Sequence, residues 1–152
     1  MSPRGPRPGD IYLAEFPEHD PQRREQTTRS PGFARSPRGE HEGDVVSEAS
    51  RRSPSFMTGV RPVLVLAVPS KPRFPVILVA PMTSDRDQPW AKSAPHLYTR
   101  LPKGIGGLST DSILLLDQTR FLDAARVRRF LGPLEKKTFD TVLEQWLALF
   151  RN

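Results

Sequence analysis

Two side chains at the ends of neighbouring apolar segments are suited to act on a phosphodiester. Arg61 and Pro62 open the apolar run Val63–Leu66, and a second apolar run ends in Met82-Thr83-Ser84. A guanidinium stays ionised at any working pH and can donate to two phosphate oxygens at once. A threonine hydroxyl can donate to a further oxygen. The pair therefore indicates phosphate-directed chemistry.

The composition predicts that strands position these residues. The chain of 152 residues is 36% hydrophobic and holds 17 prolines and 10 glycines, which favours short strands and turns over long helices. We predict a single β-rich α+β domain over residues 1–152. Apolar and alternating runs predict strands over residues 11–16, 60–68, 74–83, 95–101, 111–122 and 127–131.

Two further features complete the predicted elements. The strands over residues 60–68 and 74–83 are apolar on both faces, which predicts a central place in the sheet. Apolar residues recur at helical spacing near the end of the chain, which predicts an amphipathic helix over residues 135–150, packed on the sheet. Asp123 is suited to cap one helical turn that extends to Arg126.

Residues 17–58 differ in composition from the rest of the chain. They contain few aliphatic side chains and no sustained periodicity, so they cannot bury enough surface to offset the entropy of ordering. We predict a long flexible insertion after the first strand, and a flexible basic tail over residues 1–8. Seven arginines and seven acidic residues cancel within the insertion, so the net charge of +6 belongs to the remainder of the chain.

Charge and cysteine usage narrow the classes of partner. A net charge of +6 and a pI near 10.3 favour a polyanion such as nucleic acid, or an acidic protein segment. The absence of cysteine excludes disulfides and thiolate metal sites. The sequence has no run of the roughly 18 apolar residues that a membrane helix needs, and no signal-like start. We expect a cytoplasmic protein without a cofactor, a metal or a membrane partner.

Five short motifs in a fixed order resemble one family. They are Gly9-Asp10-Ile11-Tyr12-Leu13, Gly59-Val60-Arg61-Pro62-Val63-Leu64-Val65, Ala80-Pro81-Met82-Thr83-Ser84, Gly107-Leu108-Ser109-Thr110-Asp111-Ser112 and Leu116-Asp117-Gln118-Thr119-Arg120. Together they make the chain similar to the MazF/PemK (Kid-like) toxin endoribonucleases of type II toxin-antitoxin systems. The resemblance implies a small SH3-like barrel of the CcdB/MazF type with a C-terminal helix, and a homodimer. It also implies metal-independent cleavage of single-stranded RNA, and a cognate antitoxin through which DNA is contacted indirectly.

The resemblance also implies roles for individual residues. Arg61, Thr83 and Asp117 match family positions that are catalytic or close to the catalytic site, with Asp117 as a general base or an RNA-orienting group. Further positions that the resemblance assigns to substrate binding are Ser84, Gln118, Arg120, Gly59 and Pro62. Gln118 and Arg120 are equally compatible with a structural role between strands or subunits.

Two departures from the family pattern bear on activity. Phe56 stands where the family usually has a glutamate, and Leu115 stands where some members have an arginine. The second departure places more of the catalytic burden on Arg61. Glu48 or His19 from the insertion are alternative proton-transfer groups.

An alternative function follows from these departures. A weak or inactive barrel would be a binding module, for an antitoxin or nucleic acid, or for gyrase as in the CcdB toxin. Trp90, Phe33 and Phe56 are aromatic residues that could stack on bases in either case.

Overall fold

The computed structural model describes residues 5–17 and 59–151. Predictions that concern the insertion and its residues His19, Phe33, Glu48 and Phe56 lie outside the described residues. The described elements are β1 (Asp10–Phe16), β2 (Gly59–Ala67), β3 (Val76–Ser84), α1 (Pro89–Ser93), β4 (Tyr98–Leu101), β5 (Ser112–Leu115), β6 (Arg120–Asp123), β7 (Val127–Pro133) and α2 (Lys136–Ala148). The β-rich α+β class and the C-terminal helix are confirmed.

The seven strands form one sheet within the described residues. Their order is β4-β5-β3-β2-β1-β7, and β6 also pairs with β3. The predicted central position of the two apolar strands is confirmed, because β2 and β3 lie in the middle of this order. The final strand, β7, lies at one end of the sheet. Since β4 and β7 occupy the two ends and do not pair with each other, closure of the sheet into a barrel stays a prediction.

The single strand predicted over residues 111–122 is wrong. Met82 pairs with Leu114 and Val79 pairs with Arg120, so the two residues between them on β3 lie opposite five residues, 115–119. The ladder cannot pair this surplus, and it forms a 3-10 turn over Leu116–Gln118 that separates β5 from β6. Leu116 belongs to the turn but packs into the core, so the apolar run continues through the turn. The sequence pattern therefore gives no sign that the strand ends.

Two other boundaries differ from the sequence-based prediction. The strand predicted over residues 95–101 begins only at Tyr98, and it is preceded by the unpredicted short helix α1. The backbone N–H of Leu97 donates to the carbonyl of Ala94 in a turn, so it does not join a strand ladder. The strand predicted from Phe74 begins at Val76, since Pro75 has no N–H to donate. The turn capped by Asp123 is confirmed, because its carboxylate accepts from the N–H of Ala125 at 2.9 Å.

Strand alternation divides the core into two clusters on opposite faces of the sheet. One cluster contains Ile11, Leu64, Leu66, Ala80, Met82, Leu114 and Leu116 from the sheet, with Phe139 and Val142 from α2. The other contains Tyr12, Ala14, Phe16, Val63, Val65, Ile77, Val79 and Leu122. Burying each such side chain contributes about 1.5–3 kcal/mol, so the two clusters fix which face every strand residue occupies. α2 covers the first cluster, and the opposite face of the sheet carries both the second cluster and the polar residues described next.

Candidate functional site

A set of polar side chains shares the sheet face opposite α2, which we call the site face. Met82 pairs with Leu114 in the cluster under α2, so the adjacent residues Thr83 and Ile113 point to the other side. Ile113 pairs in turn with Arg100 of β4. Directly opposed residues of antiparallel strands lie on the same side of a sheet, so Thr83, Ile113 and Arg100 form one row across the site face.

The site face also carries the first predicted catalytic residue. Val63 pairs with Pro81 at the last recorded pair between β2 and β3. Arg61 lies two residues before Val63, and Thr83 lies two residues after Pro81. Side chains two residues apart on a strand point to the same face, so Arg61 and Thr83 share a face at the same end of the β2–β3 pair. Both side chains are partly exposed. The structure therefore brings Arg61 and Thr83 to one end of the β2–β3 pair.

Asp117 is positioned by a tyrosine. The hydroxyl of Tyr98 donates to Oδ2 of Asp117 at 2.8 Å, and Tyr98 pairs with Leu115, in the site-face position next to Ile113. Burial raises the pKa of Tyr98 to about 12, and the hydrogen bond and negative charge of Asp117 add to this shift. The hydroxyl thus remains a proton donor throughout the physiological range. It holds the exposed carboxylate of Asp117 at the end of the Tyr98 side chain.

Several predicted substrate-binding residues occupy other positions. Ser84 pairs with Ser112 and alternates with Thr83, so it lies on the α2 side of the sheet at the exposed strand end. Pro62 alternates with Arg61 in the same way and is partly buried. Their contact with a substrate stays a prediction. It would require the RNA to pass around the strand ends.

The remaining three predicted residues have distinct surroundings. The guanidinium of Arg120 lies 5.1 Å from the centre of the Phe16 ring, a cation–π contact worth about 0.5–1 kcal/mol at partly exposed sites. Gln118 ends the 3-10 turn and is partly exposed. Gly59 begins β2 with φ of +84°, where a Cβ would meet no neighbouring atom. The Arg120 contact supports the structural role that the sequence left open for this residue.

Sequence reasoning missed two residues of the site face, Tyr98 and Arg100. Arg100 makes ion pairs with Asp85 and Asp87, each at 3.5 Å, and about half of its side chain is exposed. The alternation along Tyr98-Thr99-Arg100-Leu101 could have indicated them. Leu101 is buried and Thr99 bonds to Gln145 of α2 at 2.5 Å, so these two face α2 and the alternate residues face the other side. Leu115 is buried and pairs with Tyr98.

The described residues carry neither a cluster of metal-binding side chains nor a membrane-spanning helix. No group of three or more His, Asp or Glu side chains with the arrangement of a metal site occurs in residues 5–17 and 59–151. No helix in this part of the chain is long and apolar enough to cross a membrane.

The fold and the site face define a small antiparallel β-sheet protein with a terminal helix on one face and an arginine, a hydroxyl and a carboxylate associated with the other. A family model described as "PemK-like, MazF-like toxin of type II toxin-antitoxin system" matches residues 7–150. The chain therefore belongs to the PemK/MazF family of toxins. No curated protein matches the chain.

Solved structures similar to the chain include two from mycobacteria. The Mycobacterium tuberculosis toxin MazF-mt6 is 21% identical, with a TM-score of 0.45 over 60% of this chain and 85% of that one. An endoribonuclease in complex with its cognate antitoxin, from a mycobacterial species, is 12% identical. Its TM-score is 0.50, over 97% of this chain and all of the other. The second similarity supports the MazF-like fold of the chain.

Proposed function

We propose that this chain is the toxin of a type II toxin-antitoxin system and a metal-independent endoribonuclease. It cuts single-stranded RNA in a sequence-selective manner and leaves 2',3'-cyclic phosphate and 5'-hydroxyl ends. The observation that supports this most directly is the position of Arg61 and Thr83, each two residues beyond the Val63–Pro81 pair on the site face. Family membership supports the same reaction class.

The reaction requires three functions from the protein. The ribose 2'-oxygen forms a bond to phosphorus, and the bond from phosphorus to the 5'-oxygen breaks. A base removes the 2'-proton, an acid protonates the 5'-oxygen, and positive charge stabilises the pentavalent transition state. Because the substrate carries its own nucleophile, no activated water is required.

We assign these functions to three residues. Arg61 binds the non-bridging oxygens and protonates the leaving 5'-oxygen, and it then regains a proton from water. Thr83 donates a hydrogen bond to the scissile phosphate. Asp117 accepts or orients the 2'-proton through Oδ1, since Oδ2 is already bonded to the Tyr98 hydroxyl. Arg100 lies on the same face, where Asp85 and Asp87 offset its charge.

Partners follow from the same proposal. We infer that the chain forms a homodimer and that a cognate antitoxin covers the site face, with DNA contacted through the antitoxin complex alone. We place the protein in the cytoplasm, where its RNA substrate is found.

A cleavage assay tests the proposal. Purified protein is incubated with a mixed-sequence RNA in excess EDTA, beside Arg61→Ala and Thr83→Ala variants and an Arg129→Ala control. Arg129 is an exposed arginine on β7, paired with Leu13, so this variant removes an equal charge elsewhere on the sheet. We expect cleavage by the parent and the control, with new 5' ends that a polynucleotide kinase labels without prior phosphatase treatment.

The variants should separate the assigned roles. Losing one charged transition-state donor costs about 100-fold or more in rate, which we expect for Arg61→Ala. Losing a hydrogen bond to a charged group costs roughly 10- to 100-fold, which we expect for Thr83→Ala. An inactive parent, or equal rates for the parent and both variants, would overturn the mechanism.

One observation favours the alternative of a weakly active binding module. Leu115 is only 3% exposed, so the position where some relatives have an arginine holds a buried apolar side chain. An RNA-binding parent that leaves all RNA intact in the same assay would support this second function.

A further inference from the structure

An exposed tryptophan lies next to the site face. Trp90 belongs to the five-residue helix α1, which is anchored by the buried Ala91, and 43% of Trp90 is exposed. Its ring centre lies 4.9 Å from that of Tyr98, at an angle of 78°. The other tryptophan, Trp146, packs against the core cluster under α2. Leaving a large aromatic surface in water forfeits the free energy of burial, which marks Trp90 as a candidate contact surface.

Tyr98 links this tryptophan to the proposed catalytic residues. One side of its ring contacts Trp90, and its hydroxyl donates to Asp117 at 2.8 Å. Tyr98 also lies on the site face. It is two residues before Arg100, which stands in the row that contains Thr83. Trp90 is therefore joined through Tyr98 to the same face of the sheet as Thr83.

The charges around this corner favour a base over a phosphate. Arg100 is shared between Asp85 and Asp87, and Lys92 lies 3.5 Å from Asp87. Both cations are therefore paired with carboxylates. Stacking requires no unpaired charge, so a neutral base can stack on the aromatic surface regardless of its identity.

We propose that Trp90, supported by Tyr98, is a stacking site for one unpaired base of single-stranded RNA, next to the scissile phosphate. The inference rests on the proposed function and adds to it the position of a base-binding subsite. It also connects base binding to Asp117 through the Tyr98 ring and hydroxyl. A base in a duplex is already stacked on its neighbours, so the subsite selects single strands.

Fluorescence can isolate this tryptophan, because the chain has two. Trp146→Phe leaves Trp90 as the sole tryptophan. The indole N–H of Trp146 is buried and has no hydrogen-bond partner among the described residues, so its removal should not destabilise the fold. The matched control is Trp90→Phe, in which Trp146 is the sole source of tryptophan fluorescence. The ligands are four homopolymeric octanucleotides carrying 2'-O-methyl groups, which block the nucleophile and permit binding without cleavage.

We expect saturable quenching of Trp90 by at least one oligonucleotide and no change in the emission of Trp146. Trp90→Ala should weaken binding roughly 5- to 150-fold, the range of stacking on one base. It should also raise KM more than it lowers kcat, since stacking is present before and during the reaction. Melting temperature is measured in parallel to confirm that Trp90→Ala folds.

The outcomes separate this inference from the proposed function. Unchanged Trp90 emission with all four oligonucleotides, together with RNA cleavage that depends on Arg61, would overturn the subsite and leave the nuclease intact. A folded Trp90→Ala variant with parental KM and affinity would do the same. Cleavage that is insensitive to Arg61→Ala would instead overturn the proposed function.

Discussion

The roles of individual side chains depend on which face of the sheet they occupy. Thr83 and Ser84 are adjacent in the sequence, yet Thr83 pairs with Ile113 on the site face and Ser84 pairs with Ser112 on the α2 side. Asp117 lies in a turn, and its carboxylate is held by Tyr98. Two neighbouring hydroxyls therefore have different access to a substrate phosphate, and one carboxylate depends on a residue of another strand.

The two hydroxyls give a matched pair of variants. We expect Thr83→Ala to lower kcat/KM roughly 10- to 100-fold and Ser84→Ala to lower it by a smaller factor, because only the Thr83 side chain lies on the face shared with Arg61. Steady-state cleavage of one short RNA measures both. A greater loss for Ser84→Ala would place the phosphate on the other side of the sheet.

The tyrosine that holds Asp117 makes a prediction for alkaline pH. Its pKa is raised to about 12, so between roughly pH 10 and 12 the unfolded chain loses this proton while the folded chain keeps it. The contribution of the Tyr98 phenol to the free energy of unfolding is complete below pH 10 and is lost as the pH rises through 12. We expect the urea midpoint to fall less over this interval in Tyr98→Phe than in the parent.

The same variant tests the positioning role. Tyr98→Phe keeps the ring that contacts Trp90 but removes the donor to Asp117, so kcat should fall with little change in KM. Asp117→Asn should bring the phenol pKa down, yet leave it above its usual value of 10, since burial is the larger cause. Absorbance of the tyrosinate follows this titration. A phenol that titrates identically in parent and Asp117→Asn would show that the hydrogen bond is absent in solution.

At the scale of elements, tight turns set the positions of the strands. The 3-10 turn over Ile105–Gly107 packs against β7, and Gly107 has φ of +75°. A Cβ at Gly107 would lie 2.1 Å from the carbonyl oxygen of Leu131, closer than any real contact. Only glycine therefore fits at position 107. The close approach of this turn to Leu131 fixes where β7 lies beside β1.

Two glycines of this loop form a matched test. Gly107→Ala should lower the free energy of unfolding by about 3 kcal/mol or more, because both backbone strain and a clash with Leu131 oppose the new methyl group. Gly104→Ala should cost roughly 1–2 kcal/mol, since φ is +95° there but no atom lies within 4 Å of the added Cβ. Urea titration of both variants checks the order. Equal losses would contradict the proposed close approach.

At the scale of the whole molecule, a long stretch of sequence separates two neighbouring strands. β1 ends at Phe16, β2 begins at Gly59, and the two are adjacent in the sheet. The two core clusters of the described residues draw on residues 11–16 and 63–142. The sheet and helix of the described residues thus have a core of their own.

Deleting residues 20–54 tests this organisation. The deletion leaves 17–19 and 55–58, seven residues, to join adjacent strands, a length that strand connections commonly have. Shortening the connection from 42 to 7 residues reduces the entropic cost of closing it by about 1.6 kcal/mol, so stability should be unchanged or slightly higher. Thermal melting followed by circular dichroism provides the measurement, and loss of a cooperative transition would show that the segment is structural.

The molecular masses of the full chain and of the deletion variant test the inferred dimer. Light scattering of the full chain should give twice 17.1 kDa, and the deletion variant should remain dimeric. Two exposed apolar residues, Leu147 of α2 at 47% and Phe150 just beyond its end at 70%, are compatible with contact between copies. A mass of one chain at micromolar concentration would contradict the homodimer.

The sequence by itself determined the class of fold, most of the strands and the terminal helix. Apolar runs and helical spacing are local, so residues 60–68, 74–83 and 135–150 could be assigned without tertiary information. The ordered motifs also led to the family and to Arg61 and Thr83 as candidates. These features depend on side-chain type and spacing alone.

Tertiary structure decided how the candidates are arranged. The surplus of residues opposite β3 became visible only when Met82 and Val79 were paired, and this surplus places Asp117 in a turn. The contacts of Asp117 with Tyr98, and of Tyr98 with Trp90, join residues from three elements. Strand register assigns each residue to a face, and register follows from packing against distant parts of the chain, which no local pattern encodes.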